Sequence, residues 1–159
     1  MAPREILREC PIFESLTDAQ LGTIVSMSKP REFEPGAAIF SEANKAEELY
    51  ILEKGKVALQ MQLSVQQPQF SRRITVDIIN RGEPFGWSAV VDPHRYTLTA
   101  ICLEPSKVLA IDGLRLKTLL HTDHQMGYEV LSRLIGVVAS RLDETRQVLI
   151  SERLTSLQV

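Results

Sequence analysis

No stretch of this chain carries charge of a single sign. Eighteen lysines and arginines are interspersed with 20 aspartates and glutamates, for a net charge of −2. A dedicated nucleic-acid binder usually gathers a basic excess on one face, so the balance argues against that class. Long apolar runs are missing too. The longest mostly apolar run is six residues, 134–139, against ~20 for a membrane span, so no membrane association is expected. Met1-Ala2-Pro3-Arg4-Glu5 is followed by no apolar segment, which predicts a chain without a secretory signal. The two cysteines, Cys10 and Cys102, have neither the number nor the spacing of a disulfide framework or metal-ligand set. The cytoplasm is the expected compartment. At 159 residues the chain can bury a sizeable core without such staples.

Catalytic signatures are equally scarce. There is no Gly-x-Ser-x-Gly elbow and no P-loop. Glu83 and Asp92 do not form a convincing acid/base pair. His121 and His124 offer two imidazoles with no third ligand nearby, which reads as a solvated helix end and not a metal site. The expectation is a non-enzyme with no resident cofactor.

What is present divides into three parts. In the first, Thr17-Asp18-Ala19-Gln20 reads as a capping box, because each side chain can satisfy an orphan backbone donor of the other. Leu16 and Leu21 then fall at the positions of a hydrophobic staple. Leu21, Ile24 and Val25 make an apolar stripe, and Pro30 is expected to stop the helix.

The middle, residues 31–112, is punctuated like β structure. Val57, Leu59, Met61 and Leu63 alternate with Ala58, Gln60 and Gln62, and Ile74, Val76 and Ile78 repeat the pattern. Residues 96–103 and 107–111 make two more candidate strands. Glu34-Pro35-Gly36, Lys54-Gly55-Lys56, Asn80-Arg81-Gly82-Glu83-Pro84 and Glu104-Pro105-Ser106 supply turns. Short strands at this spacing suggest a barrel or double-sheet jelly roll, and residues 66–71 read as a polar hairpin tip.

The last third is helical. Residues 114–120 give a short helix after the Asp112-Gly113 turn, and Thr122 with Gln125 suggests a second capping box. Val130, Leu131, Leu134, Ile135, Val137, Val138, Leu142, Val148 and Leu149 follow without a proline. A helix over residues 123–152 would run ~45 Å, while a domain of this size is only about 40 Å across. It cannot bury its whole stripe within its own domain. A helix wrapped over the roll is one reading, and a two-helix seam through Leu131, Leu134, Val138, Thr145 and Leu149 is the one it favours. Gly127 and Gly136 mark where that helix would kink or start late.

The segment Arg81-Gly82-Glu83-Pro84-Phe85-Gly86-Trp87-Ser88-Ala89-Val90-Val91, followed by Asp92-Pro93-His94-Arg95-Tyr96-Thr97, carries the remaining information. Gly86 allows close backbone approach, and residues 87–91 suggest a short helix whose N–H groups face an anion. Arg95 beyond that turn suggests a charge-assisted partner for it. Together with Pro11-Ile12-Phe13, Phe33-Glu34-Pro35-Gly36, Leu49-Tyr50-Ile51-Leu52 and Gly55-Lys56-Val57, this constellation resembles the cyclic-nucleotide-binding domain. More narrowly, it looks like the sensor half of the catabolite-activator (Crp/Fnr) superfamily.

The resemblance implies a mostly β fold with α. It would be a double-stranded β-helix (jelly-roll-like) barrel flanked by an N-terminal helix and a long C-terminal helix. Residues 1–122 would form the cyclic-nucleotide-binding-like roll with its entry helix, and 123–159 the dimerisation helix of the same unit. It implies a phosphate-binding cassette at Phe85, Gly86, Trp87, Ser88, Ala89, His94, Arg95, Tyr96 and Thr97, with a base-side contact at Thr145 and Arg146. Fnr-like iron–sulfur relatives need several cysteines, and the two here do not meet that need.

Four departures from the family pattern limit what transfers. Nucleotide-binding relatives place a Glu for the ribose 2′-hydroxyl where Trp87 stands. Their phosphate Arg matches His94, with Arg95 one residue late, and a one-residue slip reverses the face. Their pair of small hydroxyl residues falls on Thr145 and Arg146, and their Glu-Gly on Glu42-Ala43. The expected function is therefore a homodimeric, non-catalytic regulatory sensor with altered or weak cyclic-nucleotide binding. A cyclic nucleotide or another small anionic ligand is the candidate effector. The alternative is a degenerate, ligand-free domain serving as a protein-interaction scaffold for an unknown partner. The family's winged helix-turn-helix has no room after residue 149, so DNA binding by this chain alone is not expected.

Overall fold

The computed structural model describes residues 2–63 and 72–157; the expected hairpin tip at 66–71 lies outside them. Helix α1 (Pro3–Glu9) and helix α2 (Asp18–Ser26) open the chain. The capping box forms as expected. The Gln20 N–H donates to Thr17 Oγ1 at 3.2 Å, and the Thr17 N–H donates to Gln20 Oε1 at 2.9 Å. Leu16 and Leu21 are both buried in one apolar cluster. Pro30 does not end α2, which stops at Ser26. Pro30 lies inside strand β1 (Ser28–Phe33), at the edge of a sheet, where a missing N–H costs no ladder bond.

The remaining strands are β2 (Ala38–Phe40), β3 (Glu48–Lys54), β4 (Val57–Leu63), β5 (Arg72–Ile79), β6 (Pro84–Phe85), β7 (Thr99–Cys102) and β8 (Ser106–Asp112). They form two antiparallel four-stranded sheets, ordered β1-β8-β3-β6 and β2-β7-β4-β5. This is the double-sheet roll that the turn spacing suggested. The expected strand over 96–103 is shorter. At residues 95–96 the chain makes only an isolated bridge, Lys45 with Arg95, and the Tyr96 N–H donates to the Asn44 carbonyl.

Strand β3 is buried on both faces. Tyr50 and Leu52 point into the roll with Phe40, Leu59 and Phe85, while Leu49 and Ile51 point to the helices with Phe13, Leu21 and Leu116. A strand covered on both sides reads as a continuous apolar run, which is why 49–52 does not alternate. Each fully buried Leu or Ile contributes about 1.5–3 kcal/mol, so these two clusters hold the helices on the roll.

Asp112 caps helix α3 (Gly113–Thr122), its carboxylate accepting the Arg115 N–H at 3.0 Å. Helix α4 (His124–Leu157) follows after one residue. Its cap is Asp123, which accepts the Met126 N–H at 3.1 Å, and not the expected Thr122. The Thr122 hydroxyl instead donates back to the Thr118 carbonyl at 3.0 Å. Neither glycine breaks α4. At Gly127 a Cβ would stand 2.2 Å from the Leu120 carbonyl oxygen, so glycine there lets α4 leave α3 at close quarters.

Helix α4 carries two stripes. Val130, Leu134, Val137, Arg141 and Val148 turn toward the body of the fold. Tyr128, Leu131, Ile135, Leu142 and Leu149 are exposed and repeat at three- and four-residue steps, the last three every seven. Leu134 therefore leaves the expected seam, because it is 5% exposed and packed in its own helical core. Val138 is partly buried against the same core. Leu131 and Leu149 stay on the open face, joined by Ile135 and Leu142.

Candidate ligand site

Strand β6 delivers the cassette. Phe85 is fully buried against Tyr50 at a ring separation of 5.4 Å, and Gly86 turns the chain with φ 78°. A Cβ at Gly86 would meet the Tyr50 and Phe40 rings at 3.1 and 3.2 Å, so both its conformation and its contacts require glycine. A 3₁₀ turn, Trp87–Val90, follows. The N–H groups of Ala89 and Val91 donate to the carbonyls of Gly86 and Ser88, which removes them from the set expected to face an anion.

The residues expected in the cassette do not converge on one spot. Gly86, Trp87, Ser88, Tyr96 and Thr97 line a cavity together with Phe40, Leu59, Leu98 and Arg141. Tyr96 is a wall: its ring stacks on Phe40 at 3.8 Å and its hydroxyl donates to the Glu48 carbonyl at 2.7 Å. Ala89 and His94 face the other side, where they border a groove of about 690 Å³ with Met27, Ala110 and Lys117. His94, at φ 58°, brings Nε2 to 3.2 Å from Lys117 Nζ and Nδ1 to 3.1 Å from Asp92. Arg95 is exposed and donates to the Ala43 carbonyl at 3.0 Å. The one-residue slip thus turns Arg95 away from the cavity. Thr145 is half-buried and Arg146 exposed, and neither lines the cavity.

The cation at this cavity is Arg141, which the sequence reading missed. Its side chain is 8% exposed. Its guanidinium carbon lies 4.8 Å from the centre of the Trp87 ring, a cation–π contact worth about 0.5–2 kcal/mol. Arg141 Nε is 3.2 Å from Asp77 Oδ2, and Nη2 is 3.8 Å from Glu83 Oε2. These are ion pairs without hydrogen-bond alignment: among the described residues, Nη1, Nη2 and Asp77 Oδ2 have no hydrogen-bond partner. Each buried, unmet donor or acceptor costs about 1–3 kcal/mol. Burial lowers the Arg141 pKa from its ordinary value, against the pull of Asp77 and Glu83. Glu144, beside them, is raised by desolvation and by the Asp77 charge. A signal for Arg141 was present. It lies seven residues from both Leu134 and Val148, a charge in the middle of an inward apolar stripe.

The cavity is about 30 Å³, room for one or two waters and an order of magnitude below a typical small-molecule site of ~300–1,000 Å³. Trp87 forms part of its wall. Half-buried, it packs against the helical core and lies over the Arg141 guanidinium, at the position where relatives are expected to hold Glu.

Residues 30–123 match the family model for the cyclic nucleotide-binding domain. The chain is 30% identical to a solved structure from Geobacter metallireducens GS-15 described as cyclic nucleotide-binding, with a TM-score of 0.74 over 89% of this chain and 99% of that one. It is 25% identical over 89% of its length to a CRP-like cAMP-activated global transcriptional regulator of Mycobacterium tuberculosis. It is 34% identical over 61% of its length to a cGMP-dependent protein kinase of Eimeria tenella. The chain spans 59% of that regulator and 9% of that kinase.

Proposed function

Because the chain belongs to the cyclic nucleotide-binding domain family, we propose that it is a non-catalytic, Crp-like sensor module with weak cyclic-nucleotide binding. In this reading it works in the cytoplasm as a homodimer through α4. No described helix is long and apolar enough to cross a membrane. The observation that carries the reading is the small cassette cavity, about 30 Å³, with Trp87 on its wall and over Arg141. A tryptophan cannot accept the ribose hydroxyl. A hydrogen bond to a charged group contributes ~1.5–3 kcal/mol, so its loss alone weakens a nucleotide about 10–100-fold. The relatives' descriptions make cAMP and cGMP the nucleotides to test. Calorimetry is expected to give dissociation constants above the micromolar range for both, and sub-micromolar binding of either would overturn the reading.

The same closed cavity, with an exposed apolar stripe on α4, favours a second reading as a scaffold that binds only protein. The two separate on whether any small ligand changes the protein at all.

A further inference from the structure

We infer that the groove between β1, the loop before β3 and α3 is a second binding site, which takes a small organic anion with an apolar body. It shares no residue with the cassette cavity, so it stands whether or not that cavity binds a nucleotide. Its volume, about 690 Å³, falls within the ~300–1,000 Å³ of small-molecule sites. Small side chains make the hollow: Ala46, Ala89 and Ala110 are buried along its floor, with Met27 beside them. Backbone bonds tie the walls together. The Asp112 N–H donates to the Met27 carbonyl at 2.9 Å, the Gly113 N–H to the Glu47 carbonyl at 2.8 Å, and the Ala46 N–H to the His94 carbonyl at 2.7 Å. A Cβ at Gly113 would stand 2.7 Å from Ala89, so α3 closes on the 3₁₀ turn without spare room. The groove is thus formed before a ligand arrives, which lowers the ordering cost of binding.

The charges of the rim set the sign of the ligand. Cations come from three elements: Lys29 from β1, Lys45 from the loop before β3, and Arg115 and Lys117 from α3. The acids already have partners. Glu48 accepts Arg31 Nη1 at 2.8 Å, Asp112 accepts the Arg115 backbone N–H at 3.0 Å, and Glu47 lies 3.7 Å from Lys45 Nζ. Among the described residues, the side chains of Lys29 and Arg115 have neither a hydrogen bond nor an ion pair. Lys117 is held in place. Its Nζ donates to His94 Nε2 at 3.2 Å and lies 3.5 Å from Asp92 Oδ1, which leaves one of its three donors for a ligand. With Nε2 accepting, the ring proton of His94 sits on Nδ1, 3.1 Å from Asp92. An apolar floor beneath unpaired cations fits a molecule with a hydrocarbon or aromatic body and a carboxylate, sulfonate or phosphate group.

The probe is 8-anilinonaphthalene-1-sulfonate, an apolar ring system with one sulfonate, titrated into the full chain with dye fluorescence as the readout. Saturable binding is expected. Lys29→Gln with Arg115→Gln is expected to weaken it about fivefold. Ser26→Phe fills the rim from an exposed position and leaves every charge in place; it is expected to weaken the dye about tenfold or more. Lys54→Gln with Lys56→Gln, outside the groove, is expected to leave binding within about twofold. Circular dichroism checks the fold of each variant. Octanoate, with a tail and a carboxylate, is expected to displace the dye, whereas acetate and octylammonium are not. No saturable binding would overturn the inference. So would dye binding that survives Ser26→Phe and is lost with Ile135→Asp and Leu142→Asp, which would place the dye on the α4 stripe. Poly-glutamate displacing the dye better than octanoate would overturn it in favour of an acidic protein segment. Retention on phosphatidylglycerol vesicles that is lost with Lys29→Gln and Arg115→Gln would overturn it in favour of a membrane contact.

Discussion

Replacing Arg141 by Met tests how the centre of α4 is held on the roll. The methionine keeps an apolar stem of similar length and removes a guanidinium that is 8% exposed. Two effects oppose each other. Losing the charge relieves the desolvation that lowers the Arg141 pKa. It also strands Asp77, whose side chain is 14% exposed and whose Oδ2 already lacks a hydrogen bond. Removing one partner of a buried pair typically costs about 3–5 kcal/mol, and the Trp87 contact adds ~0.5–2 kcal/mol. Asp77 retains the Ile78 N–H on Oδ1 at 2.8 Å, which puts the expected loss near the lower end, about 3 kcal/mol. At this chain length that is a fall in Tm of roughly 6–12 °C.

Asp77→Asn in the same background removes the stranded charge. The double variant is therefore expected to regain about 2 kcal/mol, a coupling of the size seen for residues in direct contact. Urea unfolding at fixed protomer concentration measures both, since association would otherwise shift the midpoint. An Arg141→Met protein within about 0.5 kcal/mol of the parent would refute the reasoning. So would a double variant whose loss equals the sum of the two single losses.

Other expectations concern separate parts of the molecule. Leu142→Asp with Ile135→Asp places charge on the exposed stripe of α4 and is expected to give a monomer mass by light scattering where the parent gives a dimer; an unchanged mass would remove α4 as the seam. Ala43 holds φ 72°, a conformation costing roughly 1–2 kcal/mol for a residue with a Cβ, so Ala43→Gly is expected to raise Tm by a few degrees, and a lowered Tm would count against strain there. Glu144 has its carboxyl raised by desolvation and then by Asp77, so the folded state binds its proton more tightly than the unfolded chain does. Its contribution to stability is complete below the ordinary glutamate value and is lost as pH rises through the raised folded value. Glu144→Gln should flatten that part of the stability–pH curve measured by urea titration, and an unchanged slope would reject the coupling.

Features set by a few neighbouring residues were legible in the sequence. Thr17 and Gln20 satisfy each other's backbone across three positions, and nothing distant needs to be known. The run at 49–52 entered the sequence reading only as a block of the family resemblance, and its burial on both faces came from the structure; the expected turns around Gly36, Gly55 and Gly82 are all at positive φ. The seam on α4 was harder. Leu134 and Ile135 are adjacent, and helical periodicity places apolar residues on two stripes without saying which one meets the protomer. The cap of α4 was misassigned by one residue because Thr122 and Asp123 are both good N-caps, and the Thr122 hydroxyl is taken by its own preceding turn. The cassette was harder still. Whether Arg95 faced the anion turn depended on the path through Pro93 and His94, and a left-handed φ at His94 is not encoded in any spacing. For Arg141 the stripe position was legible but its partners were not, because they come from distant segments: β5 supplies Asp77, the turn before β6 supplies Glu83, and the cassette supplies Trp87.

These contacts also bear on how a signal would leave the pocket. As far as Val138, α4 is anchored by its inward residues Val130, Leu134, Val137 and Val138 on the helical core. At Gly136 a Cβ would meet nothing within 4 Å, so no contact requires glycine there, although it weakens the helix by about 1 kcal/mol relative to Ala. Beyond that point the inward contacts among the described residues include Arg141 on Asp77, Glu83 and Trp87, Val148 on the roll, and the Arg72–Glu152 ion pair. The last of these is exposed and contributes little. Arg141 is thus the main polar attachment of the distal half of α4, and Leu142, the next residue, belongs to the exposed stripe. A ligand that moves the indole off Arg141 removes one attachment and adds another. On the sensor reading proposed above, the position of the distal helix is expected to follow the occupant of the cavity. A scaffold with a permanently closed pocket would have no use for an incompletely bonded guanidinium at that point, since an apolar side chain would anchor the helix without the unmet donors.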